Sequence, residues 1–250
     1  MADRPIVLVT GGGRGIGAAV AVLAARRGHD VVINYRSDAA AAERTAAAVR
    51  AEGAHALTVR GDVAREEDIE ALFAATDGFG PLAHVVNNAG ATGRSGRLDA
   101  TSPALIREII DLNVTGAILV ARLAVQRLST RHGGKGGSIV NISSAAANLG
   151  SPGEYVWYAA SKAAIDGLTH GLGREVAAEG VRVNAVQPGM VDTEIHALNT
   201  GDPGRVERIR PSIPMQRIGS ADEIAEAVLF LMSPAASYIT ATILRVSGGR

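Results

Sequence analysis

The residues best equipped for chemistry stand close together, at Tyr158-Ala159-Ala160-Ser161-Lys162. The chain is almost without lysine. Of 25 basic residues only Lys135 and Lys162 are lysine, and only four residues are tyrosine, so chance rarely produces this spacing. On a helix, residues four apart share one face. An ammonium beside a phenol lowers the phenol's pKa from about 10 and makes it a proton donor or acceptor near neutrality. Arginine is no simple substitute, because its charge is spread over a planar fork while lysine is a compact point charge on a flexible stem. The alternative is a solvated surface pair.

A working pair needs a frame. Short apolar runs alternate with helical patterns along the chain. Strands are predicted at 6–9, 31–34, 56–59, 84–87, 138–142, 181–186 and 243–246. Helices are predicted at 15–27, in an Ala-rich stretch ending near 52, and at 65–76, 103–128, 158–179 and 220–232. Ser220 and Glu223 form a capping-box signature at the start of the last helix. Strand–helix alternation implies an α/β fold, a doubly wound seven-stranded parallel sheet with helices on both faces. No repeat or linker interrupts it, so a single domain is expected over 1–250. Residues 188–219 lack a clear pattern, and a stretch that long is usually functional, often covering a substrate.

Composition removes several function classes. With 25 acidic and 25 basic residues the formal charge is zero, which argues against a nucleic-acid or anionic-membrane partner. There is no cysteine, hence no disulfide, zinc-thiolate site or Cys nucleophile. None of the six histidines pairs with Glu or another His at metal-ligand spacing, so no metal is expected. No apolar run reaches the roughly 20 residues of a membrane span. The segment Met1-Ala2-Asp3-Arg4-Pro5 does not read as a signal peptide. A cytoplasmic location is expected. Aromatics are only 3%, so aliphatic side chains and alanine must fill the core.

The first strand runs into Thr10-Gly11-Gly12-Gly13-Arg14-Gly15-Ile16-Gly17. Glycines permit a tight turn and a close backbone approach to a pyrophosphate, and the following helix points free N–H groups at that anion. No Gly-Lys-Ser/Thr follows, so it is not a P-loop. At the end of the second strand, an acid would bind the adenosine ribose 2′-hydroxyl. This chain instead has Asn34-Tyr35-Arg36-Ser37, with no acid until Asp38. Arg14 and Arg36 would suit a 2′-phosphate through charge-assisted hydrogen bonds. NADP(H) is therefore expected ahead of NAD(H), the alternative being that both arginines face water.

Thr10–Gly17, Asn87-Asn88-Ala89-Gly90, Asn113, Ser143-Ser144, Tyr158 with Lys162, Pro188-Gly189 and Val246-Ser247-Gly248-Gly249 together resemble the short-chain dehydrogenase/reductase family. The resemblance covers essentially the whole chain. It is nearest to 3-oxoacyl-(acyl-carrier-protein) reductase-like and glucose-dehydrogenase-like members. It implies a Rossmann fold and hydride transfer between a nicotinamide cofactor and a carbonyl or secondary alcohol.

By the same resemblance, Tyr158 is the general acid in reduction and the base in oxidation. Lys162 holds the nicotinamide ribose and depresses the tyrosine pKa. Ser144 bonds the substrate oxygen, and Asn113, in the long helix, helps hold a water linking Lys162 to solvent. Gly11, Arg14, Gly15, Ile16 and Gly17 cradle the pyrophosphate, and Tyr35 and Arg36 stand at the adenosine ribose. Asp62 and Val63 lie against the adenine, with Asn88, Ala89 and Gly90 along the adenosine side. Pro188, Gly189, Val191 and Thr193 place the nicotinamide. A homotetramer is implied.

Three departures matter. The family's serine–tyrosine spacing is thirteen, whereas Tyr158 lies fourteen after Ser144 and fifteen after Ser143. The segment 150–155 carries the extra residue, and alignment from the strand side favours Ser144 over Ser143. Tyr155 is a decoy, because Ala159 stands four residues on. Relatives commonly have Gly at Ala241 and Asp at Arg245. A nucleotide-sensing regulator on the same fold is the alternative from another class, but it could dispense with the tyrosine, lysine or serine, and all are present. Reduction of a 3-oxoacyl thioester or similar ketone is favoured over oxidation of a sugar or polyol.

Overall fold

The computed structural model describes residues 4–192 and 204–250. Seven strands form one sheet: β1 (Ile6–Val9), β2 (Asp30–Tyr35), β3 (Ala56–Arg60), β4 (Leu82–Asn87), β5 (Gly137–Ile142), β6 (Val181–Pro188) and β7 (Ile243–Val246). Their order is β3-β2-β1-β4-β5-β6-β7, and every neighbouring pair is parallel. Parallel strands need crossovers, and helices supply them. These are α1 (Gly15–Arg26), α2 (Ala39–Ala51), α3 (Glu66–Phe79), α4 (Pro103–Ile110), α5 (Ala117–Leu128), α6 (Ala146–Leu149), α7 (Val156–Glu175), α8 (Arg205–Ile209) and α9 (Ala221–Met232).

The strands read as continuous apolar runs because both faces are covered. Along β1, Val7 and Val9 enter one core with α1, α2 and α9, while Ile6 and Leu8 enter the other with α3 and α5. β2 divides the same way, Val31 and Ile33 against Val32. Small residues let the layers close. Gly116 shows how tightly: a Cβ there would lie 2.2 Å from the Val63 carbonyl oxygen.

Helix starts follow local chemistry. Asp38 caps α2, accepting from the Ala41 N–H at 2.9 Å. Ser102 caps α4 with Pro103 in the first turn. The Ser220–Glu223 capping box at α9 has both of its hydrogen bonds.

The helix expected over 103–128 is not continuous. A π-helical turn, Asp111–Gly116, separates α4 from α5, and Asn113 sits in it. Such turns widen the backbone ladder and are frequent at functional sites. Apolar periodicity does not reveal one, because the apolar face resumes after it. The helix expected to 179 ends at Glu175 and continues as a single 3-10 turn, Ala177–Glu179. Within 188–219 the described residues form α8, a 3-10 turn at Arg210–Ser212 and a bridge between Val191 and Gly219. No described helix is long and apolar enough to cross a membrane.

Candidate active site

β1 and β4 are neighbours, yet the chain leaves them toward opposite faces, which opens a crevice at their carboxyl ends. The glycine turn fills one side of it. Gly11 and Gly15 have φ of +62° and +55°, a region that other residues enter at a cost. Gly17 is excluded from carrying a side chain, since its Cβ would lie 2.5 Å from the Gly11 carbonyl oxygen and 2.7 Å from Asn88 Nδ2. Asn88 Nδ2 donates to the carbonyls of Thr10 at 2.9 Å and Gly11 at 3.1 Å. The Thr10 hydroxyl oxygen accepts from the backbone of Asn88 and Ala89, both at 3.0 Å. Asn34 steadies the turn from β2, accepting from the Gly11 N–H at 3.2 Å and donating to the Gly61 carbonyl at 2.9 Å. Thr10 and Asn34 were not expected as site residues. Their signal was a polar residue following or closing an apolar strand.

The first turn of α1 carries no acid, and its N-cap Arg14 makes no side-chain capping bond. The opening N–H groups of α1 and its positive dipole end therefore have no side-chain acceptor, which fits an anionic pyrophosphate. At the end of β2, Asp38 is engaged as the α2 cap. Arg36 is exposed there, and Arg14 is exposed at the N-cap of α1. Arg36 lies 4.0 Å from the Asp62 carboxylate, and Arg60, paired with Tyr35 across the strands, donates to the Arg36 carbonyl at 3.3 Å. Arg60 is thus an arginine beside Arg36 that a linear reading does not bring in. Val63 and Val191 put their side chains into the cores, which leaves only their backbones for a ligand. Ile16 also packs on the core. Gly189 is pressed against Ser247, 2.7 Å from where its Cβ would be to the Ser247 Cα. Thr193 lies outside the described residues, as does His196.

On the other side of the crevice α7 brings Tyr158 and Lys162 to one face. Lys162 is 5% exposed and donates from Nζ to the Ile142 carbonyl at 2.7 Å. Its Nζ is 5.8 Å from the Tyr158 ring centroid. A Cβ on Gly90 would touch this Nζ at 3.4 Å and crowd Asn113 Oδ1 at 3.1 Å, so glycine leaves the most room beside the lysine and the asparagine. The two serines separate cleanly. Ser143 is buried and donates to the Lys162 carbonyl at 3.2 Å, a packing role. Ser144 lies beside Tyr158 and hydrogen-bonds its phenol.

The expected effect of the lysine on the phenol is corrected here. Burial pushes Tyr158 above its ordinary value, and the opposing influences are the Ser144 hydrogen bond and the Arg205 charge. Lys162 is turned to the Ile142 carbonyl instead, and burial brings it down to about 8. Asn113 is likewise more occupied than expected. Its Oδ1 accepts from the Ala91 N–H at 2.9 Å, and its Nδ2 donates to the Ala91 carbonyl at 2.8 Å and Ser161 Oγ at 3.0 Å. Both amide donors are spent, so its side chain is a clamp between the β4 loop and α7.

Tyr155 is 4% exposed and stacks edge-on to Trp157 and Tyr158 at 6.3 and 6.5 Å. Arg205 of α8 lies over it, 5.6 Å from the ring centroid, and pairs with Glu154 at 2.8 Å. That ion pair joins the loop holding the extra residue to the segment after Pro188. Neither partner was predicted, because 51 residues separate them.

A family model described as enoyl-(acyl carrier protein) reductase matches residues 11–250. An uncharacterized oxidoreductase of Escherichia coli (strain K12) is 47% identical over 246 residues, covering 98% of this chain and 99% of that protein. Two solved structures superpose over nearly their full lengths. A short-chain dehydrogenase from Burkholderia cenocepacia in complex with NADP has a TM-score of 0.89 at 36% identity, covering 99% of this chain and 97% of its own. A 3-ketoacyl-(acyl-carrier-protein) reductase from Brucella melitensis complexed with NADH has a TM-score of 0.90 at 33% identity, covering 98% of each chain. This chain thus superposes over nearly its whole length on proteins solved with the nicotinamide dinucleotides NADP and NADH. The chain belongs to the short-chain dehydrogenase/reductase family, oxidoreductases that act on CH–OH groups with such a dinucleotide as acceptor.

Proposed function

We propose that this protein is an NADPH-preferring reductase of 3-oxoacyl thioesters and similar ketones. The observation that carries the chemistry is Tyr158 hydrogen-bonded to Ser144, with Lys162 buried one turn on. In this reading the cofactor supplies the hydride. Ser144 holds the substrate oxygen beside Tyr158, and Tyr158 gives that oxygen its proton. Tyr158 is protonated at neutral pH, as a general acid must be. Lys162 holds the nicotinamide ribose with its ammonium, and Gly90 leaves it the space. Any role of Asn113 beyond its clamp falls to its backbone in the π-helical turn.

The NADP(H) preference rests on Arg36 and Arg60 meeting at the end of β2, where Asp38 is diverted into a helix cap, and on the exposed Arg14 at the start of α1. Asp62, 4.0 Å from Arg36, is the acid that would compete with a 2′-phosphate for it. The substrate class rests on likeness to the Brucella reductase. A cytoplasmic homotetramer is part of the proposal, and light scattering at the 25.6 kDa monomer mass would count against the tetramer. The test of function is a panel of β-keto thioesters, β-keto esters, simple ketones, sugars and polyols, run in both directions with both cofactors. Fast NADPH-dependent reduction of the β-keto substrates is expected. Glucose-dependent NAD⁺ reduction with no β-keto activity would overturn the substrate and cofactor assignment.

A further inference from the structure

The connections that leave the carboxyl ends of β4, β5 and β6 are joined to one another beside Tyr158. The first brings Ser95 and Gly96, the second Glu154 and Tyr155, and the third Met190 and Arg205. The Gly96 N–H donates to the Glu154 carbonyl at 2.9 Å, and Ser95 hydrogen-bonds the Tyr155 hydroxyl. Arg205 grips the Glu154 carboxylate twice, Nη2 to Oε2 at 2.8 Å and Nε to Oε1 at 3.3 Å. Its Nη1 reaches the Met190 sulfur at 3.8 Å. Its guanidinium covers the Tyr155 ring at 5.6 Å from the centroid, within cation–π range.

This pair is built to hold its place. A two-point guanidinium–carboxylate contact fixes orientation as well as distance. The side chains of Arg205 and Glu154 are 12% and 35% exposed, so solvent screens them less than a surface pair. The Arg205 hydrogen bond holds the Glu154 carboxyl below its usual range against the effect of burial, which keeps the pair ionised near neutrality. The loop presenting Glu154 is tightly turned, with φ of +74° at Gly150, +44° at Ser151 and +75° at Gly153. Positive φ is uncommon for a residue with a side chain, and such outliers cluster at working sites. The Tyr155 ring then stands edge-on to the Tyr158 ring, 6.5 Å between centroids.

We propose that the Glu154–Arg205 pair is a specificity-determining clasp, which fixes the connections after β4, β5 and β6 as a wall beside Tyr158 and so limits the length of one substituent on the carbonyl substrate. The inference rests on reading Ser144 and Tyr158 as the seat of the substrate oxygen. A ketone seated there carries two substituents, and a wall one aromatic ring away from the proton donor meets the one directed toward it. A fixed wall rejects a longer substituent, because admitting it would force packed side chains apart. A wall that yields does not. Glu154 and Arg205 touch no reacting atom in this reading and act through the wall they hold.

The test is a series of β-keto esters lengthened on the acyl side and, separately, on the ester side. Wild-type kcat/KM should drop by about tenfold or more at one step on one side. Glu154→Gln and Arg205→Gln should each raise KM for the shortest ester by roughly threefold or more, lower kcat by less, and shrink the length step by a similar factor. The double variant should lose no more selectivity than the worse single one, since one contact is removed once. Arg205→Lys keeps the charge without the fork, should retain part of the selectivity, and serves if a glutamine variant does not fold. The sole tryptophan, Trp157, gives a readout that needs no turnover. It is buried, its ring is 6.3 Å from that of Tyr155, and it donates to the Thr92 carbonyl at 2.8 Å. Ester binding in the presence of NADP⁺ should shift its fluorescence, with the same length dependence in the wild type and a weaker one in the variants. Unchanged length selectivity in folded variants, or losses that multiply in the double variant, overturns the proposal. If the wild type binds the esters and reduces none, the functional reading fails while the binding series still judges the clasp. If the wild type reduces them with no length step on either side, the clasp fails alone. Neither binding nor reduction overturns both.

Discussion

Replacing Gly17 by alanine adds one methyl group to the most crowded point of the glycine turn. That carbon would lie 2.5 Å from the Gly11 carbonyl oxygen, 2.7 Å from Asn88 Nδ2 and 3.0 Å from the Gly12 Cα. Favourable non-bonded contacts begin at about 3.5 Å, so the shortest contact is roughly 1 Å too close. Two of the three obstacles are backbone. α1 cannot back away freely, because Val20, Ala21 and Ala24 on it are fully buried. Overpacking of this kind costs about 1–3 kcal/mol. Displacing Asn88 also breaks its bonds to the carbonyls of Thr10 and Gly11, each worth about 0.5–1.5 kcal/mol net. The total is about 2–6 kcal/mol, a large part of the 5–15 kcal/mol that holds a typical domain. At about 2–4 °C per kcal/mol for a chain of this size, the melting temperature should fall by at least about 4 °C. NADPH affinity, read by fluorescence titration at a temperature where the variant is folded, should fall with it. Gly78→Ala is the control: Gly78 is exposed on α3 with nothing within 4 Å of its Cβ. That change should stabilise by about 0.5–1 kcal/mol. A Gly17→Ala protein with wild-type melting and wild-type NADPH affinity would refute the crowding argument.

Four further outcomes are expected. Tyr158→Phe should lower activity by about 10²–10⁴ while NADPH still binds; Tyr155→Phe removes only a hydroxyl bonded to Ser95 and should leave turnover nearly intact, and comparable losses in both would remove Tyr158 from its role. Arg36→Asp should weaken NADPH more than NADH in parallel binding titrations, whereas equal weakening would place Arg36 away from the 2′-phosphate. Ala241 has φ of +57°, a conformation that costs a non-glycine residue about 1–2 kcal/mol, so Ala241→Gly should raise the denaturation midpoint rather than lower it. Burial brings Lys162 from 10.5 to about 8, so between those values the unfolded chain holds a proton that the folded one has released; stability contributed here rises with pH across that window, and Lys162→Met should flatten the slope in chemical denaturation at stepped pH.

The sequence by itself determined the sheet and which residues its turns and helices bring toward the crevice. Fully apolar strands such as Ile6–Val9 declare a sheet buried on both faces, and alternation with helices makes it parallel. The positions of Gly11, Gly15 and Gly17 are legible because the backbone there takes a conformation that favours glycine, at Gly11 and Gly15, or comes too close for a side chain, at Gly17. Tyr158 and Lys162 were legible because a helix fixes the geometry of residues four apart. What the tertiary structure decided is what depends on distant partners. Ser144 and Ser143 are adjacent and chemically identical; only the packing of α7 turns one toward Tyr158 and the other into the helix backbone. The π-helical turn that carries Asn113 leaves no mark on apolar periodicity, since the buried face resumes beyond it. The lysine's direction was misjudged from spacing, because spacing brings Nζ near the phenol but cannot show that the Ile142 carbonyl competes for it. The Glu154–Arg205 pair and the row from Arg245 through Gln187 to Asp166 join residues at least 21 apart in the chain. Such contacts arise only when separate elements are packed together, and local sequence carries no record of which charge will meet which.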